Sequence, residues 1–106
     1  MDVERRVGTS EGADADLDFL FGQLDQLLRL AKNPDAASDG DQRYDLSIRW
    51  GVLLSGRLQR VLHYARRGEL TVNEQERFVE LCSRLRDAAP VARALGVADP
   101  TQILDR

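Results

Sequence analysis

Three kinds of residue in this chain carry groups that could do chemistry: one histidine, one cysteine, and carboxylates that recur at helical spacing. His63 has Arg60, Arg66 and Arg67 as its one-turn neighbours. A cation site there lacks further ligands, and neighbouring positive charge repels a cation. His63 therefore reads as an exposed histidine. Cys82 falls on an apolar stripe between Leu81 and Leu85. A buried free cysteine behaves as a small hydrophobe. A nucleophilic reading would need a base and an orienting third group, and the periodicity directs His63 and Cys82 to different faces. The carboxylate pairs are Asp14 with Asp18, Asp41 with Asp45, and Glu76 with Glu80. None falls in the Glu-x-x-His arrangement of a di-iron bundle. Acids in a first turn complement the helix dipole, which explains most of them. The residues thus give no catalytic site, no metal site and no cofactor site, and the expectation is a protein that is not an enzyme.

A fourth pattern is a line of basic residues, Arg49, Arg60, His63 and Arg67, along one helix. Such a line suits a nucleic acid or another anionic ligand, and this is the alternative reading. Two features weigh against nucleic acid. The chain is acidic overall, with a net charge of -3, and no aromatic residue interleaves with the line. The segment RRGELTVNEQERF loosely resembles a helix-turn-helix connection, but Glu74, Glu76 and Glu80 make the following helix a poor reader of DNA.

The elements that position these residues follow from hydrophobic period and from turn residues. Leu17, Leu20, Phe21, Leu24, Leu27, Leu28 and Ala31 recur at helical spacing and predict a helix over 15–32. Asp14 or Asp16 offers its cap. Asn33-Pro34 ends it, because proline disfavours the helical state in the residue before it. A loop then covers 33–41. A second helix starts near Asp41 and runs to Arg67, with Gly68 in place for a left-handed cap. Thr71 and Glu74 have capping-box spacing and open a third helix carrying Phe78, Leu81, Cys82 and Leu85. Pro90 predicts a kink or restart in it. A short segment ends at Gly96, and Asp99-Pro100 begins one last turn.

The second helix is the most informative. At about 100° per residue, Tyr44, Ile48, Gly51, Ser55, Leu58 and Leu62 fall on one face. Leu54, Val61, Ala65 and Ser47 lie beside them, and Leu46, Trp50, Leu53 and Tyr64 lie further round. The apolar arc exceeds half the circumference, with Arg57 the only charge inside it. The polar stripe is narrow: Asp45, Arg49, Gly56, Arg60, His63 and Arg67. Helices one and three are expected to cover the face built on Tyr44, Ile48, Gly51, Ser55, Leu58 and Leu62. Gly51 and Ser55 would let a neighbouring helix approach closely. Gly56, on the polar stripe, costs roughly 1 kcal/mol against Ala in a helix interior and marks either a bend or a contact. Left over is an edge of Leu46, Trp50, Leu53, Arg57 and Tyr64, with Phe19, Leu30 and Val79 also off their stripes. Aromatic residues and Arg are enriched at binding hot spots. The edge is therefore the expected partner-binding surface, unless the C-terminal apolar residues Val91, Leu95, Val97, Ile103 and Leu104 cover it.

Length, at 106 residues, predicts one domain, 13–106, behind a disordered tail at 1–12. The fold class expected is all-α: an antiparallel three-helix bundle with a long central helix and a short fourth helical segment at the C-terminus. The mean hydropathy of -0.40 and the absence of an apolar run of membrane length argue against a membrane protein. The polar, acidic start does not read as a secretory signal, and one cysteine makes no intrachain disulfide, so the expected compartment is the cytoplasm. Charge is uneven: the first 45 residues hold eleven of the 18 acids but five of the 15 bases. Together these predict a non-enzymatic protein–protein interaction module (a small regulator, adaptor or accessory subunit). Its partner would be another protein or a second copy in a homodimer.

Overall fold

A computed structural model describes residues 12–105, which are helical with no strand among them. The expected tail at 1–12 lies outside the described residues except for Gly12. Helix α1 spans Ala13–Lys32. Its cap is Gly12, at φ 89°, and not Asp14 or Asp16. The Asp16 N–H donates to the Gly12 carbonyl at 2.9 Å, which places both acids inside the first turn. Asn33 ends α1 and also opens a short helix, α2, Pro34–Ala37. Its Oδ1 accepts from the N–H groups of Asp35 and Ala36 at 3.1 and 3.2 Å, and Pro34 takes the first position, where no N–H is needed. The stretch expected as a plain loop thus holds a helical turn.

Helix α3, Gly40–Leu53, is capped by Asp39, two residues earlier than the expected Asp41. Its carboxylate accepts from the N–H groups of Asp41 and Gln42 at 2.9 and 3.2 Å. A π-helical turn, Leu54–Leu58, follows without a break and leads into α4, Gln59–Arg66. Gly68 then adopts φ 69° and turns the chain. Helix α5, Val72–Leu95, opens on the expected capping box. Thr71 Oγ1 accepts from the Glu74 N–H at 3.1 Å, and Glu74 Oε1 accepts from the Thr71 N–H at 2.9 Å. Pro90 does not restart α5, which continues to Leu95. Pro90 faces solvent while Ala88, Ala89 and Ala92 beside it are buried, so packing of the inner face holds the helix across the missing N–H. Gly96, at φ 77°, ends it. The last turn, α6, is Thr101–Leu104.

The core gathers Leu17, Leu20, Leu24 and Leu27 from α1 with Leu46, Trp50 and Leu53 from α3, Leu58, and Val61 from α4. Phe78, Leu81, Leu85, Ala88 and Ala92 complete it from α5, and Val97, Ile103 and Leu104 close it from the C-terminal segment. Each fully buried Leu contributes about 1.5–3 kcal/mol relative to exposure.

The π-turn explains why the second helix looked apolar nearly all round. Leu46, Trp50 and Leu53 make one stripe, and Leu58, Val61 and Ala65 make a second. On a uniform α-helix the two stripes differ by about one residue's rotation, roughly 100°. A π-turn inserts one extra residue and brings them into line. Leu53 and Leu58, five apart, then both face inward, at 3% and 0% exposure. The wide arc combined two narrower buried stripes out of phase with an exposed apolar strip at Tyr44 and Ile48.

Candidate functional site

The same phase shift relocates the expected docking edge. Leu46, Trp50 and Leu53 are core residues, with Trp50 at 0% exposure. Its indole Nε1–H donates to the Ala98 carbonyl at 2.8 Å. The C-terminal segment therefore packs over Trp50, while Leu46 and Leu53 each border a surface depression but expose only 2% and 3% of themselves. Tyr64 is half-buried, 6.1 Å from the His63 ring. Of the five, Arg57 and Tyr64 are partly exposed, and Arg57 is the one of these two that borders the groove that α3 forms with α1. The face expected to pack inward divides. Leu58 is buried and Leu62 half-buried, but Tyr44, Ile48 and Ser55 are exposed. No helix approaches Gly51 closely, since a Cβ built there would meet nothing within 4 Å. The correction is one of phase: counted from Trp50 inward, Tyr44, Ile48 and Val52 point away from the core.

What the outward side of α3 presents instead is a shallow groove between α3 and α1. Phe19, Ile48, Val52, Leu53 and Gly56 line it, with Gln23, Arg49 and Arg57 at its polar points. Its volume is about 310 Å³. Phe19, Ile48 and Val52 are all exposed large apolar residues, Val52 at 66%. Tyr44, also at 66%, continues the face one turn before Ile48. Gly56 bounds the groove without a side chain. Its φ is not positive, and a Cβ there would meet nothing within 4 Å. Conformation therefore does not require glycine at 56, and its effect is to leave the groove open.

Two polar features frame the groove. At one end Asp16, fully buried, holds two arginines: Arg57 Nη1 at 2.9 Å, and Arg60 Nε and Nη2 at 2.8 and 2.7 Å. These bonds raise the Arg60 guanidinium further above its ordinary value. Arg57 also stacks on Phe19, 4.4 Å from the ring centre. At the other end Arg49 donates to Gln26 at 2.9 Å. Between them Gln23 is only 8% exposed, and its Oε1 has no hydrogen-bond partner among the described residues. A buried amide oxygen left this way costs free energy that a donor would recover.

The basic line is exposed throughout, but its arginines already have partners. Arg60 is bound to Asp16, Arg49 to Gln26, and Arg67 to Glu69 at 2.8 Å. His63 shares a small depression with Gln59, Leu62, Arg66 and Ile103. Cys82 is a free thiol, half-buried, and burial pushes its pKa up, so less of it is thiolate at neutral pH. Of the carboxylate pairs, Asp14 and Asp18 both grip Arg77, the former at 2.8 Å. Among the described residues no three of His, Cys, Asp and Glu gather to hold a metal ion. No described helix is long and apolar enough to cross a membrane.

Phe19 was visible in the sequence as an off-stripe aromatic. Gln23 carries no signal in the sequence, because polar residues on an amphipathic helix are normally solvated, and Asp16 reads there only as a cap candidate. The signal that would have found the groove is the misfit between the two apolar stripes of the long helix.

Comparison with protein-family models, with curated proteins and with solved structures gave no match.

Proposed function

We propose that this chain is a non-enzymatic interaction module, a small cytoplasmic regulator, adaptor or accessory subunit, that docks another polypeptide through the α1–α3 groove. The single observation that carries this is the groove itself: three exposed apolar side chains around a buried, unpartnered amide oxygen. Apolar side chains exposed together mark interaction sites more often than isolated ones do. Of the expected partner surface this reading keeps Leu53 and Arg57, which both line the groove. The same reading takes the three long helical stretches as an antiparallel three-helix bundle, with the C-terminal segment as a short fourth element. Core residues contributed by all of them support it. Arg60 shares Asp16 with Arg57, and Arg67 bonds Glu69, so part of the positive charge along the basic line is neutralised within the chain, which disfavours the anionic-ligand alternative.

The test is affinity capture from the native host on immobilised protein, run in parallel with Ile48→Glu and Val52→Glu. Both positions are exposed, so the variants are expected to fold. A polypeptide retained by the wild type and lost from both variants is the expected result. A retained set identical for all three would refute the groove as the docking site.

A further inference from the structure

Resting on the docking reading above, we infer that the occupant of the groove is a second copy of this chain, packed antiparallel so that α3 lies against α3. Charge along the long helix supplies the first reason. Asp41 and Asp45 are exposed at its start, and Arg57 and Arg60 stand near its other end. Those two arginines share one carboxylate, Asp16, so a positive charge is left over there. A two-fold axis beside the Ile48–Val52 midpoint reverses the second helix. It sets the acidic end of each copy against the basic end of the other, and both pairings form at once. A parallel arrangement would set both ends against like charges, whereas the antiparallel one brings together only the two copies of Arg49, each bonded to its own Gln26.

Register supplies the second reason. Tyr44 and Gly56 are equally far from that midpoint, six residues on either side, or about 9 Å at the α-helical rise. Tyr44 of one copy thus arrives at Gly56 of the other, a protruding aromatic at a position with no side chain. Ile48 and Val52 of the two copies face each other at the centre. The interface is isologous, using the same patch on both protomers, and the groove of each is filled by the other.

Sedimentation equilibrium or light scattering from about 10 μM to about 1 mM reads the prediction directly. The wild type is expected to dimerise within that range. Val52→Glu, with a helical circular dichroism spectrum unchanged, is expected to be monomeric throughout. Asp41→Lys combined with Asp45→Lys is expected to raise the dissociation constant by about tenfold, and the difference should shrink in high salt. Tyr44→Ala should weaken association similarly but without the salt dependence. A wild type that is monomeric at the top of the range overturns the second copy as occupant. A dimer indifferent to Val52→Glu overturns the location. A monomeric wild type whose capture of a host polypeptide is still lost in Val52→Glu removes the second copy while leaving the docking reading intact. Loss of neither association nor capture removes both.

Discussion

Helix α1 lies against two neighbours, and the two seams are built differently. Along its seam with α5, acids on α1 meet arginines on α5 over an aromatic ring. Arg77 bonds Asp14 and Asp18, Arg84 bonds Asp25 at 3.2 Å, and both guanidiniums lie over Phe21, at 5.7 and 5.6 Å from its centre. Phe21 is half-buried as a result. Along the seam with α3, Phe19 receives one arginine, Gly56 contributes no side chain, and Gln23 keeps an unpartnered oxygen. One seam is sealed at its surface and the other is open. The difference teaches where to look for function in a chain with no catalytic pattern. Two phenylalanines two residues apart differ in exposure because of what the facing helix offers each of them.

The largest effect should come from the residue beneath the open seam. Trp50 lies in the core with its N–H bonded to Ala98. Trp50→Ala removes a large buried side chain and leaves a carbonyl without its donor. The expected loss is about 3–5 kcal/mol, measurable by urea denaturation. A variant of wild-type stability would mean that the C-terminal segment does not close over this part of α3.

The next pair of substitutions compares the ends of the two seams. Asp16 is fully buried, so Arg57→Ala with Arg60→Ala strands a carboxylate. The expected loss is about 3 kcal/mol, at the low end for a broken buried pair because removing the arginines admits water. Arg77→Ala with Arg84→Ala leaves Asp14, Asp18 and Asp25 in solvent and should cost about 1–2 kcal/mol, part of it from lost stacking on Phe21. Equal losses in the two double variants would show that Asp16 is as well solvated as the exposed acids.

The elements of this fold were legible where local chemistry decides them. The α1 stripe, the capping box at Thr71 and Glu74, and the turn at Gly68 all appear as the residues predict. What could not be read was the phase of the long helix, because a uniform rotation was carried through Leu54–Leu58. A π-turn has no strong residue signature of its own. It shows itself only as two stripes that fail to line up, and that misfit also describes one wide apolar face. The site followed the phase. Trp50 and Leu53 moved to the core, Tyr44 and Ile48 moved to the surface, and Arg57 stayed at the boundary. Asp16 was legible only as a cap candidate, for a different reason. Its burial depends on two arginines more than 40 residues away, and pairing at that distance leaves no trace in local periodicity.

The smallest expected effect separates two explanations of the open seam. Glycine in the middle of a long helix is unfavourable, so Gly56 calls for a reason. If the π-turn needed glycine, Gly56→Ala would disturb α3 and α4 together and lower stability. The backbone at Gly56 does not have a positive φ, and a Cβ there would meet open space. The substitution should therefore stabilise the chain by about 0.5–1 kcal/mol, through helix propensity and a less free unfolded state. It should also put a methyl group into the groove. Gly56→Ala is thus expected to raise the denaturation midpoint while weakening whatever docks between Phe19 and Val52, and Gly56→Leu to weaken docking further. A rise in stability with docking unchanged would mean that the glycine is merely tolerated. A fall in stability would assign it to the turn, and the open seam would then be a by-product of helix geometry.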